Sequence, residues 1–248
     1  MSNYNDIPHH WRLTRGYPDL LVYLLQQYNF SSRNTVLEID SGSGIQLNLI
    51  AKSTGAQCFG VDIEEFIKKA IENQFTDKQI DYKIGNMYSC PFANNMFDYV
   101  FQFRSLHYYK DLLRGLKEIK RVMRLGESKF ITVSPTLEQT QKGIISKYWP
   151  EIIEFDETRF KTLPEYLEAF DTLFSNTVSE PFVHVPIAID DNFFSFLSSK
   201  PLRSLNQLPD DVFQKGLAKL NEDILDTRQL TGENMEFFEE VTIFTASN

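Results

Sequence analysis

Apolar positions along the chain fall into two alternating rhythms. Tyr17, Leu20, Leu21, Leu24, Leu25 and Tyr28 recur at helical spacing, with Pro18 suited to a first turn. Thr35–Ile39 is a short, mostly apolar run that reads as a buried strand, and Ile45–Lys52 behind it reads as a helix. The alternation continues with a strand over Ala56–Ile63, a helix over Glu64–Asn73 and strands over Ile80–Ile84 and Phe97–Gln102. A helix over Leu112–Arg124 and a strand over Ser128–Ser134 complete this part. Leu112, Leu116, Ile119 and Met123 form one apolar stripe, and Gly126 is placed to end that helix. Strands and helices in this order predict a parallel sheet with helices on both faces. Past Pro135 the pattern loosens. It offers a helix-like Leu163–Phe174, a sixth strand over Asn176–Val185, a mostly helical Asp191–Asn221 and a last strand over Glu240–Ala246.

Between the first strand and its helix lies Asp40-Ser41-Gly42-Ser43-Gly44. A strand, a glycine turn and a helix make a cradle: the turn admits a ligand to the backbone, and the helix start offers unpaired N–H groups. Such turns serve dinucleotides, flavins and phosphates alike, and some hold no ligand. Asp62 closes the second strand 18 residues after Gly44. A carboxylate there can accept both hydroxyls of a ribose, although a helix N-cap is a competing reading. The dinucleotide fingerprint needs a third glycine, where this chain has Leu47, which counts against a nucleotide-dependent oxidoreductase.

Composition narrows the picture further. At 248 residues the chain fits one large α/β domain or a core with an insertion. The formal net charge of −9, with no Lys/Arg block, disfavours a nucleic-acid partner. Cys58 and Cys90 have neither metal-ligand nor disulfide spacing. With no run of 18 apolar residues and no apolar signal core near Met1, no membrane partner is expected, and the cytoplasm is the default location.

Five segments, in order, resemble the class I S-adenosylmethionine-dependent methyltransferases of the small-molecule type. They are Val36–Gly44 (VLEIDSGSG), Gly85-Asn86-Met87, Cys90-Pro91-Phe92 with Asn95–Val100, Leu106-His107-Tyr108 with Asp111, and Glu118–Glu127 (EIKRVMRLGE). The likeness covers roughly residues 15–134 and returns at the final strand. It implies a Rossmann-like fold: a seven-stranded, mostly parallel sheet with an antiparallel last strand, helices on both faces and a partly helical cap. One domain over 1–248 is expected: an N-terminal lid and helix (1–34), a cofactor core (35–134), cap elements with the sixth strand (135–235) and the last strand (236–248). The resemblance also implies S-adenosyl-L-methionine as cofactor and a small-molecule acceptor.

It implies roles position by position. Glu38 would orient the cofactor's amino group, and Asp40, Ser41, Gly42 and Gly44 would pass under it. Asp62 would hold the ribose with Ile63 against the adenine; Asn86 would face the adenine amino group and Met87 pack on the ring. Gln102 and Phe103 would line the methyl-donor end. No metal site is expected. A sulfonium methyl is already activated, so positioning dominates and no fixed nucleophile is needed. His107 is the candidate general base for an acceptor that holds its proton; a histidine serving loop hydrogen bonds is the commoner case.

Asp40 departs from the family, replacing its first glycine. An ordinary strand-end backbone would accommodate it. Its charge, about 4 Å from the cofactor's carboxylate, would cost as much as about 4 kcal/mol. Arg12 or Arg15 could compensate, or Asp40 could meet the cofactor's cationic groups instead. A methyltransferase-like binding or regulatory protein with weakened or lost catalysis is therefore the alternative. Asn86 in place of an aspartate is a milder change, since its amide oxygen still accepts.

Overall fold

The computed structural model describes residues 17–72, 74, 80–184, 186–200 and 202–248. The first part of the chain runs α1 (Tyr17–Gln27), β1 (Thr35–Ile39), α2 (Ile45–Thr54), β2 (Gln57–Asp62), α3 (Glu64–Glu72), β3 (Asp81–Ile84), β4 (Tyr99–Phe103), α4 (Leu112–Val122) and β5 (Lys129–Ser134). Short helices α5 (Leu137–Lys142), α6 (Ile144–Tyr148), α7 (Ile152–Glu157) and α8 (Leu163–Asp171) follow. Then come β6 (Asn176–Val183), β7 (Ile187–Ile189), α9 (Asp191–Ser198), α10 (Asp210–Thr231), β8 (Met235–Phe237) and β9 (Glu240–Ser247).

Seven strands form one sheet in the order β3-β2-β1-β4-β5-β9-β6. β3, β2, β1, β4 and β5 run parallel, and β9 lies antiparallel to β5, with Thr132 opposite Phe244. The chain thus forms the Rossmann-like sheet expected of it. Val36, Leu37, Ile39, Val61 and Val100 are fully buried, as strands covered on both faces require. From β1 the chain goes outward to β2 and β3, then returns to place β4 on the other side of β1. At such a switch point the connections part, leaving a crevice beyond the carboxyl ends of the strands.

The chain divides into two compact units. One comprises 23–134, 162–181 and 242–248 and holds most of the sheet. Its core joins Leu37, Ile39, Val61, Leu116, Ile119 and Phe130. Phe59, Phe92 and Phe97 meet edge-on within it, with centroids 5.1–5.4 Å apart. α8 begins with a capping box between Thr162 and Glu165, and Pro164 lies in its first turn. This helix belongs with the sheet: Phe170 stacks on Phe130 at 5.8 Å and on Phe244 at 5.5 Å. Asp98 ties β1 down by accepting from the Thr35 N–H at 2.8 Å while pairing with Arg124 at 2.7 Å.

The second unit comprises 1–22, 135–161 and 182–241, of which 1–16 are not described. Trp149 is its fully buried centre. The indole N–H donates to the Phe213 carbonyl at 2.9 Å, and the ring stacks on Phe213. Phe193, Phe196 and Tyr148 share this core. β7 and β8 pair as a separate antiparallel ribbon, which had no signal in the sequence pattern.

Gly216, inside α10, faces the indole. An added Cβ would stand 2.2 Å from Trp149 Nε1 and 2.5 Å from the Tyr148 carbonyl oxygen. In an open helix Gly→Ala stabilises by about 1 kcal/mol. Here overpacking of about 1–3 kcal/mol outweighs that gain. Gly216→Ala is expected to destabilise by up to about 2 kcal/mol in urea unfolding; a raised midpoint would contradict this packing.

Candidate functional site

The turn after β1 is built from left-handed residues: Asp40 at φ 58, Gly42 at φ 55 and Gly44 at φ 73. The two glycines do different work. Around Gly42 an added Cβ would meet nothing within 4 Å, so this position leaves open space. At Gly44, which starts α2, a Cβ would lie 2.2 Å from the Tyr82 hydroxyl and 3.1 Å from Ala70. Gly44 therefore admits Tyr82, whose ring also lies against Gly60. Asn48 fastens the start of α2 by donating its side-chain amide to the Gly44 carbonyl at 2.8 Å.

Asp62 is joined directly to this turn. One carboxylate oxygen accepts from the Gly42 N–H at 2.7 Å and the other from the Ile63 N–H at 2.7 Å. Each oxygen carries a second lone pair, so two further donors can still be accepted. Burial pushes the Asp62 carboxyl up to about 6, against the pull of the two N–H donors.

Glu38, on β1, is 1% exposed, and its Oε2 has no hydrogen-bond partner. Burial, then the charges of Asp62 and Asp40, hold its carboxyl well above the usual carboxylate range.

Asp40 corrects one expectation. Its backbone is left-handed rather than strand-like, a region that aspartate tolerates better than most side chains. Tyr109 Oη donates to one carboxylate oxygen at 2.6 Å, and Gln102 Nε2 donates to the other at 2.9 Å. Burial raises the Asp40 carboxyl, while Ser105, Tyr109 and Gln102 pull it back. Neutral donors thus satisfy this carboxylate; Arg12 and Arg15 lie outside the described residues. Tyr109 Oη also accepts from the Met87 N–H at 3.2 Å, linking the turn to the loop after β3. Asp40 is thus accommodated within the turn by its own hydrogen bonds.

The remaining residues are placed unevenly. Gln102 is fully buried beside Asp40, with its Oε1 unpartnered. Phe103 stacks on Phe101 with parallel rings, which puts it on the face of β4 opposite Gln102. Ser41 is buried with an unpartnered hydroxyl. Ile63 is 52% exposed just beyond Asp62. The Asn86 amide oxygen accepts from the Tyr88 N–H at 2.8 Å, closing a tight turn. Met87 is fully buried, its side chain against Gly115 of α4. His107 lies in a 3₁₀ turn over Leu106–Tyr108, with its ring 4.1 Å from that of Tyr108. Sequence reasoning missed Tyr109, Ser105 and Tyr82.

Because the folded-state pKa of Asp62 is raised, protonation favours the ligand-free fold. The sign follows from linkage: the contribution is full below about pH 4 and lost as pH rises through about 6. Ligand-free wild type is expected to lose about 1–2 kcal/mol between pH 5 and 7.5 relative to Asp62→Asn. Urea midpoints at the two pH values check this; parallel profiles for both proteins would contradict it.

Residues 37–131 match the methyltransferase domain family. That span runs from β1 to β5 and contains every carboxyl and glycine of the site. Over this span the chain is similar to the methyltransferase domain family. A curated methyltransferase, the 2-phytyl-1,4-naphtoquinone methyltransferase of Nostoc punctiforme, is 31% identical over 101 residues. This match covers 38% of the present chain and 44% of that protein, so the chain spans less than half the length of this relative. Solved methyltransferase folds extend the likeness. A protein of Anabaena variabilis, described as a methyltransferase from an antibiotic biosynthesis pathway, has TM-score 0.72 at 15% identity and covers 95% of this chain and 99% of its own. The phosphoethanolamine N-methyltransferase 2 of Haemonchus contortus, solved with phosphomonomethylethanolamine and S-adenosylhomocysteine, has TM-score 0.60 at 19% identity, covering 94% of this chain and 53% of its own. At such identities the likeness is one of fold. Among the described residues no helix is long and apolar enough to cross a membrane.

Proposed function

We propose that the protein transfers a methyl group from S-adenosylmethionine to a small-molecule acceptor. The observation that carries this reading is the bond between Asp62 and the Gly42 N–H, which joins a carboxylate with free acceptor sites to a glycine turn at the switch point of the sheet. The residues present fit such a ligand. Gly42 leaves space for close approach, and Asp62 retains two acceptor sites for two hydroxyls. Ile63 offers an exposed apolar side chain to a ring, and the unpartnered oxygens of Glu38 and Gln102 can accept from an ammonium. The curated relative from Nostoc punctiforme supports a small-molecule acceptor.

S-adenosylmethionine supplies an activated methyl, transferred to the acceptor's lone pair as the carbon–sulfur bond breaks and its electron pair stays on sulfur. Asp62 and the turn hold the nucleoside, while Glu38 and Gln102 orient the amino-acid end. Positioning of this kind can supply about 7–11 kcal/mol in favourable cases. His107 takes a proton only when the acceptor carries one at neutral pH.

Titration calorimetry with S-adenosylmethionine tests the reading, followed by transfer of labelled methyl to a panel of quinols, phenols and amines. Micromolar cofactor binding with label transferred to at least one acceptor is expected. Absence of cofactor binding at millimolar concentration would overturn it.

A further inference from the structure

The carboxylate of Asp40 is the feature of the site that the proposed function leaves unused. Among the described residues the groups that hydrogen-bond to it are neutral: the Tyr109 hydroxyl at 2.6 Å and the Gln102 amide at 2.9 Å. Glu38 and Asp62 interact electrostatically with Asp40, and among the described residues no basic group offsets any of the three. Glu38 Oε2 and Gln102 Oε1 are unpartnered on side chains at most 1% exposed, so the cluster still offers buried acceptors. Neutral donors stabilise an anion without cancelling its charge, and water-poor surroundings let its field reach several ångströms. Every positive charge on a ligand gains from that field; an ammonium shared by two ligands gains equally in both, and an additional sulfonium charge separates them.

We propose that Asp40 is a charge-selecting residue: it makes the site hold the sulfonium S-adenosylmethionine more tightly than the neutral thioether S-adenosylhomocysteine. Transfer of the methyl leaves the carbon–sulfur electron pair on sulfur and removes its positive charge. The product then loses the attraction that held the substrate, so release is favoured and product inhibition is weak. This inference rests on the proposed function.

The test is calorimetry of both ligands with wild type, Asp40→Asn and Asp40→Gly. Asparagine keeps the shape and tolerates the left-handed backbone, and the Gln102 amide can turn to offer its oxygen to the new amide. Glycine restores the family's residue, and thermal midpoints confirm that both variants fold. Wild type is expected to bind S-adenosylmethionine at least tenfold more tightly than S-adenosylhomocysteine. In both variants that ratio should fall at least fivefold, chiefly through weaker S-adenosylmethionine binding. An unchanged ratio with cofactor binding intact, or a wild type that prefers the thioether, would overturn this inference alone. Failure of wild type to bind either ligand would overturn it together with the proposed function.

Discussion

Replacing Asp62 by alanine is expected to weaken S-adenosylmethionine binding about a hundredfold, the largest loss from any single side chain of the site. Two hydroxyls would lose a charged acceptor, at about 1.5–3 kcal/mol for each hydrogen bond. The lower end of that range, about 3 kcal/mol for the two together, corresponds to roughly two orders of magnitude in Kd. The alanine would also free the Gly42 N–H and loosen the turn. Asp62→Asn retains one acceptor oxygen and should lose only about tenfold. Removing a buried carboxylate relieves its desolvation, so the thermal midpoint should change little while affinity collapses. Calorimetry at pH 7.5 reads both variants, and an alanine variant binding as tightly as wild type would remove Asp62 from the ribose.

The second large effect concerns folding. Gly44→Ala is expected to destabilise the protein by about 2–4 kcal/mol from two separable causes. A left-handed backbone costs a side chain about 1–2 kcal/mol, and φ is 73 at this position. The new Cβ would also strike the Tyr82 hydroxyl at 2.2 Å, whereas the ring carbon behind it stands at 3.1 Å. Adding Tyr82→Phe removes the struck oxygen and should recover about 1–2 kcal/mol, leaving the backbone strain. Tyr82→Phe alone should be neutral or slightly stabilising, because that buried hydroxyl has no hydrogen-bond partner. Urea unfolding of the four proteins forms a double-mutant cycle, and purely additive effects would mean that the two side chains do not collide.

The sheet was largely legible because its strands and helices announce themselves locally. The pattern places β1 at Thr35–Ile39, its observed extent, and a helix over Leu163–Phe174, where α8 spans Leu163–Asp171. The turn was legible too, since Gly42 and Gly44 follow a strand and precede a helix. The clamp on Asp40 was not. Gln102 and Tyr109 reach Asp40 across 62 and 69 residues, and one tyrosine in a loop carries no periodic signal. Tyr82 escaped notice because its role appears only when β3 lies beside β2 and places the ring against Gly60 and Gly44. The β7–β8 ribbon was hidden similarly, since its three-residue strands are separated by two helices in sequence. Placing α8 with the cap followed chain order, whereas its phenylalanines pack on the sheet.

The position of β9 between β5 and β6 has a consequence for biosynthesis. The slot it fills stays open on the nascent chain until residues 240–247 have emerged, long after β1, β2 and β4 are available. Ile243, Phe244 and Ala246 are fully buried there, so their partners Val133, Thr132 and Phe130 on β5 are exposed meanwhile. Ribosomes stalled before that point should display a sticky half-sheet that chaperones retain, and only release of the last strand would let the methyltransferase fold close.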